Sequence, residues 1–280
     1  MRGAACDLYD LAALEVALAG TLFAGKLHFS PVTDSTNSDA QEAARCGAPH
    51  GSVYFADEQL AGRGRGEHAW RSDAGLGLYV SVLLRPQIPI IRLPLLPLAA
   101  GLAAAEAIRA GTGLTADLRW PNDLLIGPRK AGGILVEAKS ARGSVDYAVV
   151  GLGINVHQRE FDPDLAAIAT SLDLEIGTPS DRSSSLGWKT GRQLSRQDLL
   201  IALLKSLERE ALWLADPAAG VTIPARVEQA STWIRGRKVE VHGPQACTGV
   251  TEGLDEYGFL RVRTEAGLVT VQTGGIRAAG

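Results

Sequence analysis

Residues 57–70 read DEQLAGRGRGEHAW, with Gly62, Gly64 and Gly66 interleaved by Arg63 and Arg65 and the run closed by Trp70. Glycine lets the backbone take φ > 0 and bring its N–H groups close to a ligand, while arginine adds a permanent charge and a planar fork of donors for carboxylate or phosphate. The composition suits an anion-binding loop, and equally a solvated basic loop. Val53 to Asp57 and Leu76 to Leu84 are strand-like, the second rich in Leu, Tyr and Val, so the loop is expected to hang between two strands of one sheet.

Upstream, residues 7 to 19 read as a short helix with Leu8, Leu11, Leu14 and Leu18 on one face, closed by Gly20. Lys26 to Val32 reads as a strand leading into the turn Asp34-Ser35-Thr36-Asn37, and Ser38 to Arg45 as a helix with Ser35 placed to cap it. Downstream, a helix is expected from Pro97 to Ala110. Strands follow at Leu118 to Trp120, Leu124 to Ile126, Gly133 to Ala138 and Tyr147 to Ile154. Thr178 to Gly191, rich in Ser, Gly and Pro, reads as a loop. Arg196 to Ala215 is the clearest helix, with Leu200, Leu203, Leu204, Leu207, Ala211 and Leu214 forming a core-facing stripe. From Trp233 the pattern changes to short strands at Lys238 to Val241, Ala246 to Val250, Phe259 to Arg263 and Leu268 to Val271, which suggests a small β-barrel.

The 280 residues carry 46% hydrophobic and 21% charged side chains, enough apolar mass for a sizeable core. A formal net charge of -3 gives no global attraction to nucleic acid or anionic membranes, so any anion binding is local. Three widely separated cysteines, Cys6, Cys46 and Cys247, fit neither a disulfide framework nor zinc spacing, and point to a reducing cytoplasm. The N-terminus lacks a signal peptide pattern, and prolines at 89, 94 and 97 with Arg92 break the most apolar stretch, so no membrane span is expected.

Two further clusters stand beyond the glycine loop: RWPNDLLIGPRKAGGILVE at 119–137 and VVGLGINV at 149–156. Together with Ser35-Thr36-Asn37 and the run from Gly62 to Trp70, they resemble biotin protein ligase, whose motifs occur in this order. The resemblance covers most of residues 30 to 160 and, more weakly, the C-terminus. It implies an α+β fold, a mixed or antiparallel sheet with packed helices similar to the catalytic fold of class II aminoacyl-tRNA synthetases, over residues 1–230. An SH3-like β-barrel is implied over 231–280. About thirty residues before the first motif are too few for a helix-turn-helix domain, so a monofunctional ligase is expected over a biotin-responsive regulator. A lipoate or octanoate ligase or transferase is the alternative enzyme.

A carboxylate cannot acylate an amine in neutral water until it is activated. Transfer of AMP from ATP brings two anions together, and the catalyst must neutralise their repulsion with fixed charge. Lys130, Arg63 and Arg65 are the residues expected to do so, the resemblance implying that Lys130 touches both the carboxyl and the α-phosphate. For biotin it implies Ser35, Thr36, Asn37, Gln59, Arg63, Gly64, Arg65, Lys130, Gly132 and Gly133, and for the nucleotide Arg65, Trp70, Asn122, Lys130 and Asn155. Read from the residues, Trp70 packs under the loop, and Asn122 suits turn-capping as well as ligand binding. Asp123 suits Mg²⁺ through oxygen. Interior glycines in Gly151 to Asn155 suggest close ligand approach. The loop departs from the common GRGRRGR form, with Glu67 where a basic residue often stands. Implied partners are biotin, ATP and the biotin carboxyl carrier protein of acetyl-CoA carboxylase, with no nucleic acid or membrane, and a monomer or homodimer.

Overall fold

In the computed structural model, which describes residues 9–66, 68–177 and 194–279, the chain opens with α1 (Leu11–Ala17). The helix starts where Asp10 accepts a hydrogen bond from the Ala13 N–H, a cap that satisfies one of the first-turn donors. Leu14 and Leu18 are buried but Leu11 is 44% exposed, so the apolar face is narrower than its leucines imply. β1 (Leu27–Thr33), α2 (Thr36–Arg45), β2 (Ser52–Gln59) and β3 (Gly77–Leu84) follow, then α3 (Leu95–Thr112). Two short strands, β4 (Asp117–Arg119) and β5 (Asp123–Ile126), lead to the long hairpin of β6 (Arg129–Ala141) and β7 (Ser144–Asn155).

The seven strands form one mixed sheet in the order β1-β2-β3-β7-β6-β5-β4, parallel only between β1 and β2. The expected strands all occur, and the loop at 60–76 does hang between the adjacent antiparallel strands β2 and β3. β3 is buried along its whole length because both faces of the sheet are covered. On one face α3 and α6 (Arg196–Ala215) pack over Val80, Val82, Val150, Leu152 and Ile154. On the other, Ala40 and Ala44 of α2 pack on Leu83, Tyr147 and Val149. Because side chains alternate, Ser81, Gly133, Leu135, Gly151 and Gly153 fall on the α2 face, in register across β3, β7 and β6. Small residues in line open a trough there.

Ile90–Thr112 has a mean hydropathy of 1.5 and passes for a bilayer-spanning segment by length and composition alone. As expected, prolines interrupt it, Pro89 preceding a separate short turn at Ile90–Arg92 and Pro94 preceding α3, which starts only at Leu95. Pro97 sits in the first turn of α3, where its missing N–H costs no helical bond. The apolar side chains of α3 supply packing against α6 and the sheet.

Between β7 and α6 lie the short helices α4 (Pro163–Ala166) and α5 (Leu172–Ile176), and after α6 come α7 (Pro217–Gly220) and α8 (Ile223–Gln229), none of them read from the sequence. The reading of Thr178 to Gly191 as a loop, and Glu67, lie outside the described residues. α6 has the expected bounds, with Ser195 capping the Asp198 N–H. Its face is core as expected, but it also buries Arg196 and Glu210, each ion-paired, to Asp57 and Arg226.

The C-terminal strands β8 (Arg235–His242), β9 (Cys247–Leu254), β10 (Leu260–Thr264), β11 (Gly267–Val271) and β12 (Gly275–Ala278) form a second, antiparallel sheet in the order β11-β10-β9-β8-β12. This agrees with an SH3-like module of four or five short strands, β12 being the one for which the sequence reading gave no range. Its buried Val239, Val241, Leu260 and Val262 belong to the same apolar cluster as the large sheet. The Trp120 indole N–H donates to the Gly258 carbonyl across the join at 3.0 Å.

Candidate active site

The trough on the α2 face becomes a cleft of about 480 Å³, open to solvent. Ser35, Thr36 and Asn37 at the start of α2, Gln59 at the end of β2, and Arg63, Gly64, Arg65 and Trp70 of the loop line it together with Asn122, Lys130, Gly133 to Leu135, and Gly151 to Gly153. Most residues expected from the sequence are therefore brought together, although the triplet, the loop and Lys130 lie far apart along the chain.

One wall is a hydrogen-bonded polar chain. Gln59 Oε1 accepts from the Thr36 N–H at 2.9 Å, and Gln59 Nε2 donates to Ser72 Oγ at 2.7 Å. Thr36 Oγ1 and Ser81 Oγ are 2.7 Å apart, Ser81 donates to Asn37 Oδ1, and Asn37 Nδ2 donates to Glu137 Oε2 at 2.8 Å. Glu137 in turn takes both terminal nitrogens of Arg63, at 3.1 and 2.8 Å. A satisfied chain of this kind fixes side-chain orientation where a lone buried polar group would be costly. Ser35 occupies the N-cap position of α2 but makes no capping bond with its side chain, so the capping role expected of its hydroxyl is not the one it has. Buried, it lines the cleft instead.

The cations are held differently. Lys130 Nζ is 2.5 Å from Asp123 Oδ1 and 5.5 Å from the centre of the Trp70 ring. Its backbone is pinned on both sides: its N–H donates to the Ile168 carbonyl and its own carbonyl accepts from Thr170, at 2.8 and 2.9 Å. Arg65 reaches the C-terminal module, donating to the Gly274 carbonyl and to Thr273 Oγ1. Burial pulls the Arg65 pKa down and the Asp123 charge opposes this, but a guanidinium stays charged at neutral pH. Trp70, read from the residues as packing under the loop and implied by the resemblance to touch the nucleotide, has its indole N–H buried in the cleft lining without a hydrogen-bond partner among the described residues.

Three expected residues are displaced from the cleft lining. Asn155 is buried with Nδ2 donating to the Thr170 carbonyl at 3.0 Å, so it braces the segment that pins Lys130. Gly132 packs on Leu124 and the Gly153 carbonyl, beneath the surface. Asp123 stands behind Lys130, both oxygens committed: Oδ1 to Lys130 and Oδ2 to Arg119 at 2.6 and 3.0 Å. It does not fit a protein-held Mg²⁺. Among the described residues no group of three or more His, Cys, Asp and Glu side chains gathers as a metal site. Asn122 keeps a place in the lining, its amide donating to the Ile134 carbonyl at 2.8 Å. Sequence reasoning missed Ser81 and Glu137. The one signal for Ser81 was a polar residue inside the otherwise apolar strand GLYVSVLL.

Comparison with known proteins identifies the family. The chain belongs to the biotin/lipoate A/B protein ligase family, which matches residues 29–155. Within the family its relatives carry biotin ligase names. The Biotin--[acetyl-CoA-carboxylase] ligase of Mycobacterium tuberculosis is 31% identical over 257 residues, 87% of this chain and 85% of that protein. The Bifunctional ligase/repressor BirA of Bacillus spizizenii is 41% identical over 159 residues, and the match spans 56% of this chain but only about half, 49%, of that relative. The solved biotin protein ligase from Aquifex aeolicus in complex with biotin and ATP superposes with a TM-score of 0.73 at 29% identity, over 91% of this chain and 100% of that chain.

Proposed function

We propose that this chain is an ATP-dependent ligase that activates biotin as biotinyl-5′-AMP and transfers it to a specific lysine of the biotin carboxyl carrier protein. One observation carries the reading. Lys130, Arg65 and the indole N–H of Trp70, unpartnered among the described residues, meet in one glycine-floored cleft whose lining also holds the uncharged Ser35, Thr36 and Gln59. Positive charge beside a neutral polar wall suits an acid with a ureido ring at one end and a carboxylate at the other. The likeness to a ligase solved with biotin and ATP supports it.

In the first step a carboxylate oxygen of biotin attacks the α-phosphorus, an O–P bond forms, the bond to the bridging oxygen breaks, and pyrophosphate leaves with the electron pair. Lys130 neutralises the approaching anions, with Arg65 adding charge from the loop and Arg63, held by Glu137, adding N–H donors there. In the second step the carrier lysine amine attacks the acyl carbon, the amide forms, AMP leaves, and the amine proton passes to solvent. Asp123 holds Lys130 in place. Magnesium, for which the described residues gather no ligand set, would arrive with the triphosphate and supply further neutralisation. Residues 1–230 serve as the catalytic domain and 231–280 as the SH3-like module that holds Arg65. The free Cys46 and Cys247 suit a reducing cytoplasm.

Pyrophosphate exchange by the purified chain, assayed with biotin, lipoate and octanoate in turn, tests the reading. Exchange dependent on biotin is expected. Exchange with lipoate or octanoate and none with biotin overturns it.

A further inference from the structure

Arg119, the last residue of β4, does not line the cleft. Its guanidinium nevertheless bonds one oxygen of Asp123 through both Nε, at 3.0 Å, and Nη2, at 2.6 Å. The other oxygen of the same carboxylate lies 2.5 Å from Lys130 Nζ. The side chains of Arg119, Asp123 and Lys130 are 22%, 15% and 32% exposed, so solvent screens their charges only in part. Arg119 is itself held from behind. Its guanidinium stands 5.4 Å from the ring of the buried Trp233, which also carries the Arg237 guanidinium at 3.9 Å. Thr232 next to it is tied to Asp117 on the same strand as Arg119, by its N–H at 2.9 Å and its hydroxyl at 2.5 Å.

The charge count gives this arrangement a consequence. Arg119, Asp123 and Lys130 sum to +1 at neutral pH, whereas Asp123 and Lys130 alone sum to zero. A lysine fully answered by its own carboxylate offers little to a carboxylate and a phosphate that must be brought together. We infer that Arg119 is a positioning residue that keeps the Lys130 site net positive, by occupying Oδ2 of Asp123 and so leaving the carboxylate only a share of its charge to spend on Lys130. The inference rests on the adenylating role proposed above and extends it to a residue outside the cleft. It also explains why a carboxylate can stand against the reactive cation: it orients Lys130 without cancelling it.

The test uses the whole chain and three variants, Arg119→Gln, Asp123→Asn and the double variant, with biotin-dependent pyrophosphate exchange and direct biotin binding measured on each. Arg119→Gln should lower the exchange rate about tenfold or more, with biotin affinity changed by less than about threefold, because the lost charge acts on the reacting anions. Removing the carboxylate as well should restore much of the rate, since Lys130 alone again leaves +1. A purely structural Arg119 would not be rescued by a second substitution. Exchange at the parent rate in Arg119→Gln, or no gain in the double variant when both keep the parent melting temperature, overturns the inference. If Arg119→Gln does not fold, Arg119→Lys takes its place: exchange within about threefold of the parent supports the charge role, and a loss beyond tenfold overturns it. Acetylation of Lys130 by acetic anhydride, followed by mass spectrometry, separates this from failure of the ligase reading. Labelling should be slower in Arg119→Gln than in the parent and recover in the double variant, whether or not the parent exchanges with biotin. The reverse order overturns the role of Arg119, and absent exchange in the parent overturns only the ligase reading.

Discussion

Gly153 lies directly beneath the Trp70 indole, so close that a Cβ at this position would stand 2.5 Å from Nε1 and 2.6 Å from Cε2. Gly151, two residues back on the same face of β7, makes the equivalent allowance for the Asn37 amide. The interior glycines of β7 are thus explained by close approach of the cleft's own side chains. Gly153→Ala should push the rigid ring off the floor and raise the Kd for biotin about tenfold or more, while the strand pairing of β7 survives. Isothermal titration that finds the parent Kd would show that Trp70 has room to spare.

Lys130→Ala should lower adenylate formation about a hundredfold or more, the usual scale for losing one charge-stabilising donor in a partly enclosed site. The fold should tolerate it. Asp123 keeps its two bonds to Arg119, so no buried carboxylate is left alone and the melting temperature should move by no more than a few degrees. Turnover close to normal in the folded variant would remove Lys130 from the chemistry.

The glycine-arginine loop is tied down in this structure. The Trp70 N–H donates to the Gly62 carbonyl at 2.8 Å, Arg63 pairs with Glu137, and Arg65 bonds Thr273. The Arg63–Glu137 pair is exposed enough to be worth only about 0.5–1 kcal/mol. Glu137→Gln should therefore speed amide exchange at residues 62–66 about two- to fivefold, which hydrogen-exchange mass spectrometry reads directly. A loop that exchanges no faster than before would mean that Arg65 and the Gly62 bond hold it without Arg63.

Arg65→Gly removes a loop cation, its bonds to Thr273 and Gly274, and adds backbone freedom at one point. The variant should keep pyrophosphate release through Lys130 and Arg63 but bind biotinyl-5′-AMP more weakly, so that the adenylate escapes and acylates lysines of bystander proteins. Labelling confined to the carrier protein, with adenylate affinity unchanged, would rule out a retention role for Arg65.

What the sequence determined alone was whatever is local. The extent of α6 follows from its leucine period. The strands flanking the glycine loop follow from β-rich runs between turn residues, and four ordered motifs were enough to place the fold and most of the cleft lining. Tertiary structure decided how charge is shared. Glu137 takes Arg63 from 74 residues away and Thr273 takes Arg65 from 208 away, pairings for which no periodicity exists in the chain. Arg196 and Glu210 sit on a helix whose spacing marks its leucines as core, and the ion pairs with Asp57 and Arg226, with the Gly77 carbonyl also accepting from Arg196, help to bury charge there. Asp123 reads as a metal ligand by residue type. The bulge where β5 meets β6 and the guanidinium of Arg119 turn its two oxygens to other partners, because a carboxylate's role is set by which cations the fold brings to it.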